Sequence, residues 1–130
     1  MASIFSKIIA GEIPSYKVAE NEHCYAFLDI NPLTEGHTLV VPKKEIDYLF
    51  DLQEADYAEF MRFSRQVAVA IKKVIPCKRV CEVVLGFEVP HAHVHLIAAQ
   101  SEHDVNFSNS KLKFTKEEFA AIAKKIAEVF

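Results

Sequence analysis

The apolar positions along this chain change period several times, and each change marks an element. Phe5 and Ile8 share one face of a short helix through Ile9, which Ser3 caps and which Gly11 and Pro14 bring to an end. Two apolar-rich runs, Tyr16 to Glu20 and Cys24 to Asp29, flank Asn21, Glu22 and His23, the pattern of a β-hairpin. Asn31-Pro32 and Glu35-Gly36 mark a loop, after which His37 to Val41 alternates as a third strand ended by Pro42. Between Glu54 and Ile75, with Asp51 or Gln53 near the start, Tyr57, Phe60, Met61, Val67, Ala68, Ile71 and Val74 return at helical spacing. This is the longest predicted helix. Val80 to Leu85 is rich in β-branched residues and pairs, through a turn at Gly86, with a strand over roughly Ala92 to Ala98. Thr115 and Glu118 have capping-box spacing, ahead of a last helix that aligns Phe119, Ile122, Ala123, Ile126 and Phe130.

Helix, hairpin, strand, long helix, two strands and helix predict an α+β fold: a single antiparallel β-sheet of about five strands with helices packed on one face. With 130 residues, 51% of them apolar, one domain over 1–130 is expected, with a packed core. The formal net charge of −3 argues against a nucleic-acid surface, which needs a basic face. No apolar run approaches the roughly 18 residues of a membrane span. Three cysteines without framework spacing, and Lys7 and Glu12 interrupting the first apolar run, point to a reducing cytoplasmic location.

Candidate chemistry concentrates in His91-Ala92-His93-Val94-His95, where strand alternation puts three imidazoles on one side and Ala92, Val94 and Leu96 on the other. Such a row permits three uses. Buried structural rings would each need a partner, at roughly 1 to 3 kcal/mol when left unpaired. A metal would need further ligands from Cys24, Cys77, Cys81, His23, His37 or His103, yet the chain has no Cys-x-x-Cys and the Cys77, Cys81 spacing aligns both along one strand face. Nucleophilic or acid–base chemistry suits neutral imidazole near pH 7.

The pattern His-x-His-x-His followed by Leu96-Ile97 resembles the histidine triad family of nucleotide-binding proteins. Ser3 to Pro14 (SIFSKIIAGEIP) and Ala26 to Lys44 (AFLDINPLTEGHTLVVPKK) are similar to the family's amino-terminal half in order and spacing, so the resemblance runs from about Ser3 to Ile97. It implies the histidine triad fold, a two-fold homodimer with joined sheets, and hydrolysis or transfer of purine nucleoside monophosphates from phosphoramidates or dinucleoside polyphosphates. The long apolar face of the Glu54 to Ile75 helix points to the same dimer.

By resemblance, His93 is the nucleophile, forming a nucleotidyl-imidazole that water hydrolyses. His95 would contact phosphate oxygens and help protonate the leaving group, titrating near neutrality. His91 would orient the site, and His37 would hold the triad by a hydrogen bond, the other possibility being a solvent-facing strand residue. Asp29 matches the acidic residue that holds the ribose hydroxyls, or else is a turn aspartate before Asn31-Pro32. Phe5, Ile8, Phe27, Leu28 and Ile30 correspond to the apolar cleft around the base, a composition that ordinary core shares. The backbone N–H groups of Glu88 and Val89 are candidates for the phosphate.

Two departures from the family pattern matter. Where many members carry Cys-x-x-Cys as half of a zinc site, this chain has Ser3 and Ser6, and hydroxyls are poor zinc ligands, so neither metal nor other cofactor is expected. Where members often have a loop ending Gly-Gln, this chain has Phe87 and Glu88, which removes an amide donor and adds a carboxylate.

Overall fold

The computed structural model describes residues 2–130. Ser3 caps α1 (Ile4–Ile9), accepting from the Ser6 N–H. Strands β1 (Lys17–Glu20), β2 (Cys24–Leu28), β3 (Thr38–Pro42), β4 (Arg79–Val83) and β5 (Val94–Ala99) form one antiparallel sheet in the order β1-β2-β3-β5-β4. Helix α2 (Glu54–Val74) crosses from β3 to β4, and α3 (Lys116–Ala127) closes the chain with both bonds of the capping box formed between Thr115 and Glu118.

Alternation sorts the strand residues onto two faces. Cys24, Ala26, Leu28, Val40, Val94, Leu96 and Ala98 pack with Phe60, Phe63, Val67 and Ile71 of α2 and Phe119, Ile122 and Ile126 of α3. Tyr25, Phe27, Leu39 and Val41 point the other way and meet Phe5 and Ile8 of α1. The helices therefore do not all share one face, as the sequence had suggested. An amphipathic stripe dictates that α1 must be covered but not by which face of the sheet.

Strand β5 also starts later than the alternation predicts. The register pairs Val40 with Val94, which sets Pro42 opposite Ala92, and proline has no N–H to extend the ladder. On the other side β4 ends at Val83 opposite His95, and Val84 and Leu85 leave the sheet half-exposed toward a turn at Gly86. His91 and His93 consequently lie in an irregular segment ahead of β5, outside the ladder.

The loop before β3 turns at Gly36, whose φ of +85° is left-handed. A Cβ there would come within 3.0 Å of Ile75 Cγ1. Gly36→Ala should therefore destabilise the fold by at least about 1 to 2 kcal/mol, combining backbone strain with a steric clash. Denaturant unfolding measures this directly, and an unchanged midpoint would show that the turn adapts.

Candidate active site

His93 Nδ1 lies 2.8 Å from the carbonyl oxygen of His91. A carbonyl only accepts, so Nδ1 carries the proton and Nε2 keeps a free lone pair. Burial pushes the His93 pKa below its ordinary value, against the pull of that hydrogen bond, so the lone pair stays available at neutral pH. Phe5 packs edge-on against the ring at 5.0 Å. Fully buried His91 donates from Nε2 to the Pro42 carbonyl at 2.7 Å, while its Nδ1 lies 2.7 Å from Ser3 Oγ.

A second chain of hydrogen bonds fixes His95. The Leu33 N–H donates to His37 Nδ1 at 3.0 Å, so His37 Nε2 holds the ring proton and donates to His95 Nδ1, also at 3.0 Å. His95 is thereby left with its own proton on Nε2. Burial, with repulsion from neighbouring positive charge, lowers His37 to about 3; burial and His93 lower His95 to about 4. Both rings are neutral at pH 7, which corrects the expectation that His95 titrates near neutrality. Asp29 Oδ1 accepts from the Asn31 N–H at 2.8 Å, leaving Oδ2 3.6 Å from His37 Nε2. Burial raises the Asp29 pKa, partly offset by the Asn31 bond and by Lys111.

These groups open onto a cleft of about 560 Å³. Its walls are Phe5, Asp29, Asn31, His37, Leu39, the Leu85–Val89 loop, His93, His95, Phe107 and Lys111. Phe107 stands edge-on to His95 at 4.9 Å, and Lys111 Nζ donates to the carbonyls of Phe107 and Asn109. An apolar-walled cleft with a free imidazole lone pair beside a ring N–H donor is equipped for covalent catalysis on a small anionic group.

Residues 10–102 match the family model described as the HIT domain. The chain belongs to the histidine triad (HIT) family. It is 34% identical over 132 residues to an uncharacterised HIT-like protein of Borreliella burgdorferi, covering 95% of each chain. It is 38% identical over 104 residues to the adenosine 5'-monophosphoramidase HNT1 of Saccharomyces cerevisiae, covering 78% of this chain and 65% of the yeast protein. Among solved structures, a HIT-like protein of Bartonella henselae involved in cell-cycle regulation superposes with a TM-score of 0.85 at 30% identity, covering 98% of this chain and 96% of that one.

The HIT fold distributes the residues singled out in the sequence over three layers. His37, His93, His95, Phe5, Asp29, Glu88 and Val89 line the cleft. His91 is sealed behind it, and Ile8 and Phe27 lie in the cluster beneath Phe5. Leu28 does not belong to the cleft: consecutive strand residues face opposite ways, and Leu28 packs toward α2 and α3. Ile30, 65% exposed in the turn after Asp29, is not on the wall either. Leu39, Phe107 and Lys111 went unrecognised. Period-two spacing from His37 would have found Leu39, whereas Phe107 and Lys111 come from an aperiodic segment that folds back through the Leu112 N–H bond to Pro32 O.

Neither of two polar clusters fits a bound metal. Ser3 and Ser6 bond to each other and to neighbouring groups, and two hydroxyls do not fit a zinc site. The donor atoms of Asp29, His37 and His95 lie within 4.8 Å of one another, but a cation would have to break the bond between the two rings.

The buried neutral rings make stability acid-sensitive in a defined window. Unfolded histidine takes up a proton near pH 6.5, while His37 and His95 resist it down to about 3 and about 4. Between those limits the unfolded chain binds more protons, so stability is full above pH 6.5 and falls on acidification by about 1.4 kcal/mol per pH unit for each ring. Denaturant unfolding at pH 7 and pH 5 should show this drop, reduced in His37→Gln; equal stability of the wild type at both values would contradict the assignment.

Proposed function

We propose that this HIT protein cleaves purine nucleoside monophosphate conjugates, phosphoramidates above all, through a nucleotidyl-His93 intermediate. The observation that carries the proposal is the pair of complementary ring nitrogens: His93 Nε2 with a lone pair and His95 Nε2 with a proton, on one cleft wall. The lone pair attacks the α-phosphorus, the P–N bond breaks, and the amine leaves with a proton taken up from solvent. Water then displaces the imidazole and restores it. His95 donates to a phosphate oxygen as charge builds there, and Asp29 accepts from the ribose hydroxyls. The name of the yeast relative, a monophosphoramidase, supports the same substrate class.

Glu88 bears on the leaving group. It lines the cleft, where its charge repels extra phosphates, and Phe87 is 92% exposed and offers no donor. Losing one donor to the transition-state charge costs about 2.7 to 4 kcal/mol, which supports slow turnover and a second reading as a nucleotide-binding protein that barely turns over. Assays with adenosine and guanosine phosphoramidates and dinucleoside polyphosphates decide between them. His93→Ala should lose turnover by at least about a thousandfold while binding AMP within a few-fold of wild type. Glu88→Ser should speed polyphosphates more than phosphoramidates, since repulsion scales with ligand charge. Retained activity in His93→Ala would exclude the covalent route.

We infer a homodimer as well. Strand β4 is a sheet edge with unpaired backbone, and Val69 of α2, Val84 and Leu85 are each more than two-fifths exposed. Light scattering at micromolar concentration should give twice the chain mass; a monomer would refute this.

A further inference from the structure

His91 is held from the far side of the triad by a chain that begins at Glu45, a residue with no place in the chemistry above. The Ser3 N–H and the Ser6 hydroxyl both donate to Glu45 Oε1, at 2.6 and 2.7 Å. The Ser6 N–H donates to Ser3 Oγ at 3.0 Å. His91 spends its Nε2–H on the Pro42 carbonyl and turns Nδ1 to the Ser3 hydroxyl, 2.7 Å away, which donates to it. The two serine protons are thus committed in opposite directions, one to a carboxylate and one to a ring. Ser3 caps α1 and Ser6 lies within it, and six residues are too few to form a stable helix alone, so the helix depends on what it is fastened to. That helix carries Phe5, which stands edge-on to His91 at 5.8 Å and to His93 at 5.0 Å. The main-chain carbonyl of His91 in turn holds the His93 Nδ1 proton.

We propose that Glu45, acting through Ser3 and Ser6, is a positioning residue for the nucleophile: it clips α1 onto His91 and so sets the carbonyl and the Phe5 ring that orient His93. The donors from the Ser3 backbone and the Ser6 side chain hold the Glu45 carboxyl down at about 2, so the clip stays charged throughout the neutral range. The assignment rests on His93 being the nucleophile, and its test keeps the two apart.

Glu45→Ala should lower kcat on adenosine 5'-phosphoramidate by about 10- to 100-fold with KM nearly unchanged, the signature of a misplaced reacting group. Glu45→Gln, whose amide oxygen accepts the same two bonds, should recover most of the rate. Long-range proton–nitrogen NMR of the imidazoles reads the clip without turnover. The wild type should show His93 protonated on Nδ1 and His91 on Nε2; Glu45→Ala should mix both tautomers and leave the His37 and His95 signals in place. A folded Glu45→Ala protein with wild-type kcat and unchanged ring signals overturns the proposal, as does a Glu45→Gln protein no better than Glu45→Ala. Should Glu45→Ala fail to fold, Ser6→Ala removes one of the two bonds and is judged by the same readouts. If wild type turns over no nucleotide conjugate, the functional proposal falls while the ring-nitrogen spectra still decide the positioning.

Discussion

An imidazole buried away from water must find a partner for its ring N–H, and at this triad that requirement fixes the chemistry. Three of the four rings have a nitrogen facing a group of unambiguous polarity. His91 and His93 face carbonyls, which only accept, and His37 faces the Leu33 N–H, which only donates. Those three contacts settle all four tautomers, because His95 takes whatever His37 passes on. The result is one free lone pair and one free N–H, on neighbouring rings whose centroids are 5.3 Å apart. Burial lowers the pKa of His37, His93 and His95, which favours this state at neutral pH.

The same burial sets limits on what the cleft accepts. Neutral His37 and His95 have no fixed positive charge to offer an incoming phosphate, so attraction there draws on N–H dipoles and on Lys111. Lys111 Nζ is tied to two backbone carbonyls, and its charge is felt at Asp29 and His37, the ribose side of the proposed pose. Glu88 acts on the opposite balance, raising the His93 pKa slightly against the dominant effect of burial. The carboxylate thus raises the basicity of His93 and opposes a polyanionic ligand at once.

Much of this is legible in the sequence. Period-two alternation placed His95 opposite Val94 and Leu96, and the capping box at Thr115 and Glu118 is present with both bonds. What local pattern cannot carry is the choice among equivalent partners. Phe5 and Ile8 announce a covered helix face, but only the sheet's two-sidedness puts that face over Phe27. Phe27 and Leu28 look alike as apolar neighbours of Asp29, yet they part to opposite sides of β2. Glu45, Phe107 and Lys111 lie in segments without periodicity that distant chain holds in place: 42 residues separate Ser3 from Glu45, and the Leu112 N–H to Pro32 O bond brings the segment of Phe107 and Lys111 back.

Those long separations explain why the site is built on loops yet held firmly. His91 and His93 precede β5 and lack ladder partners, so a mobile segment would be the default outcome for their backbone. Instead Ala92 N–H bonds to Ile46 O at 2.6 Å, His91 N–H bonds to Val89 O at 2.8 Å, and the His91 ring ties Pro42 to Ser3. Pro42, by ending the ladder, creates the gap; its free carbonyl, with no strand neighbour to serve, becomes the anchor for the buried ring. The residue that ends the ladder on this side therefore also supplies the bond that holds the His91 ring, so that His91 and His93 leave the strand without losing their order.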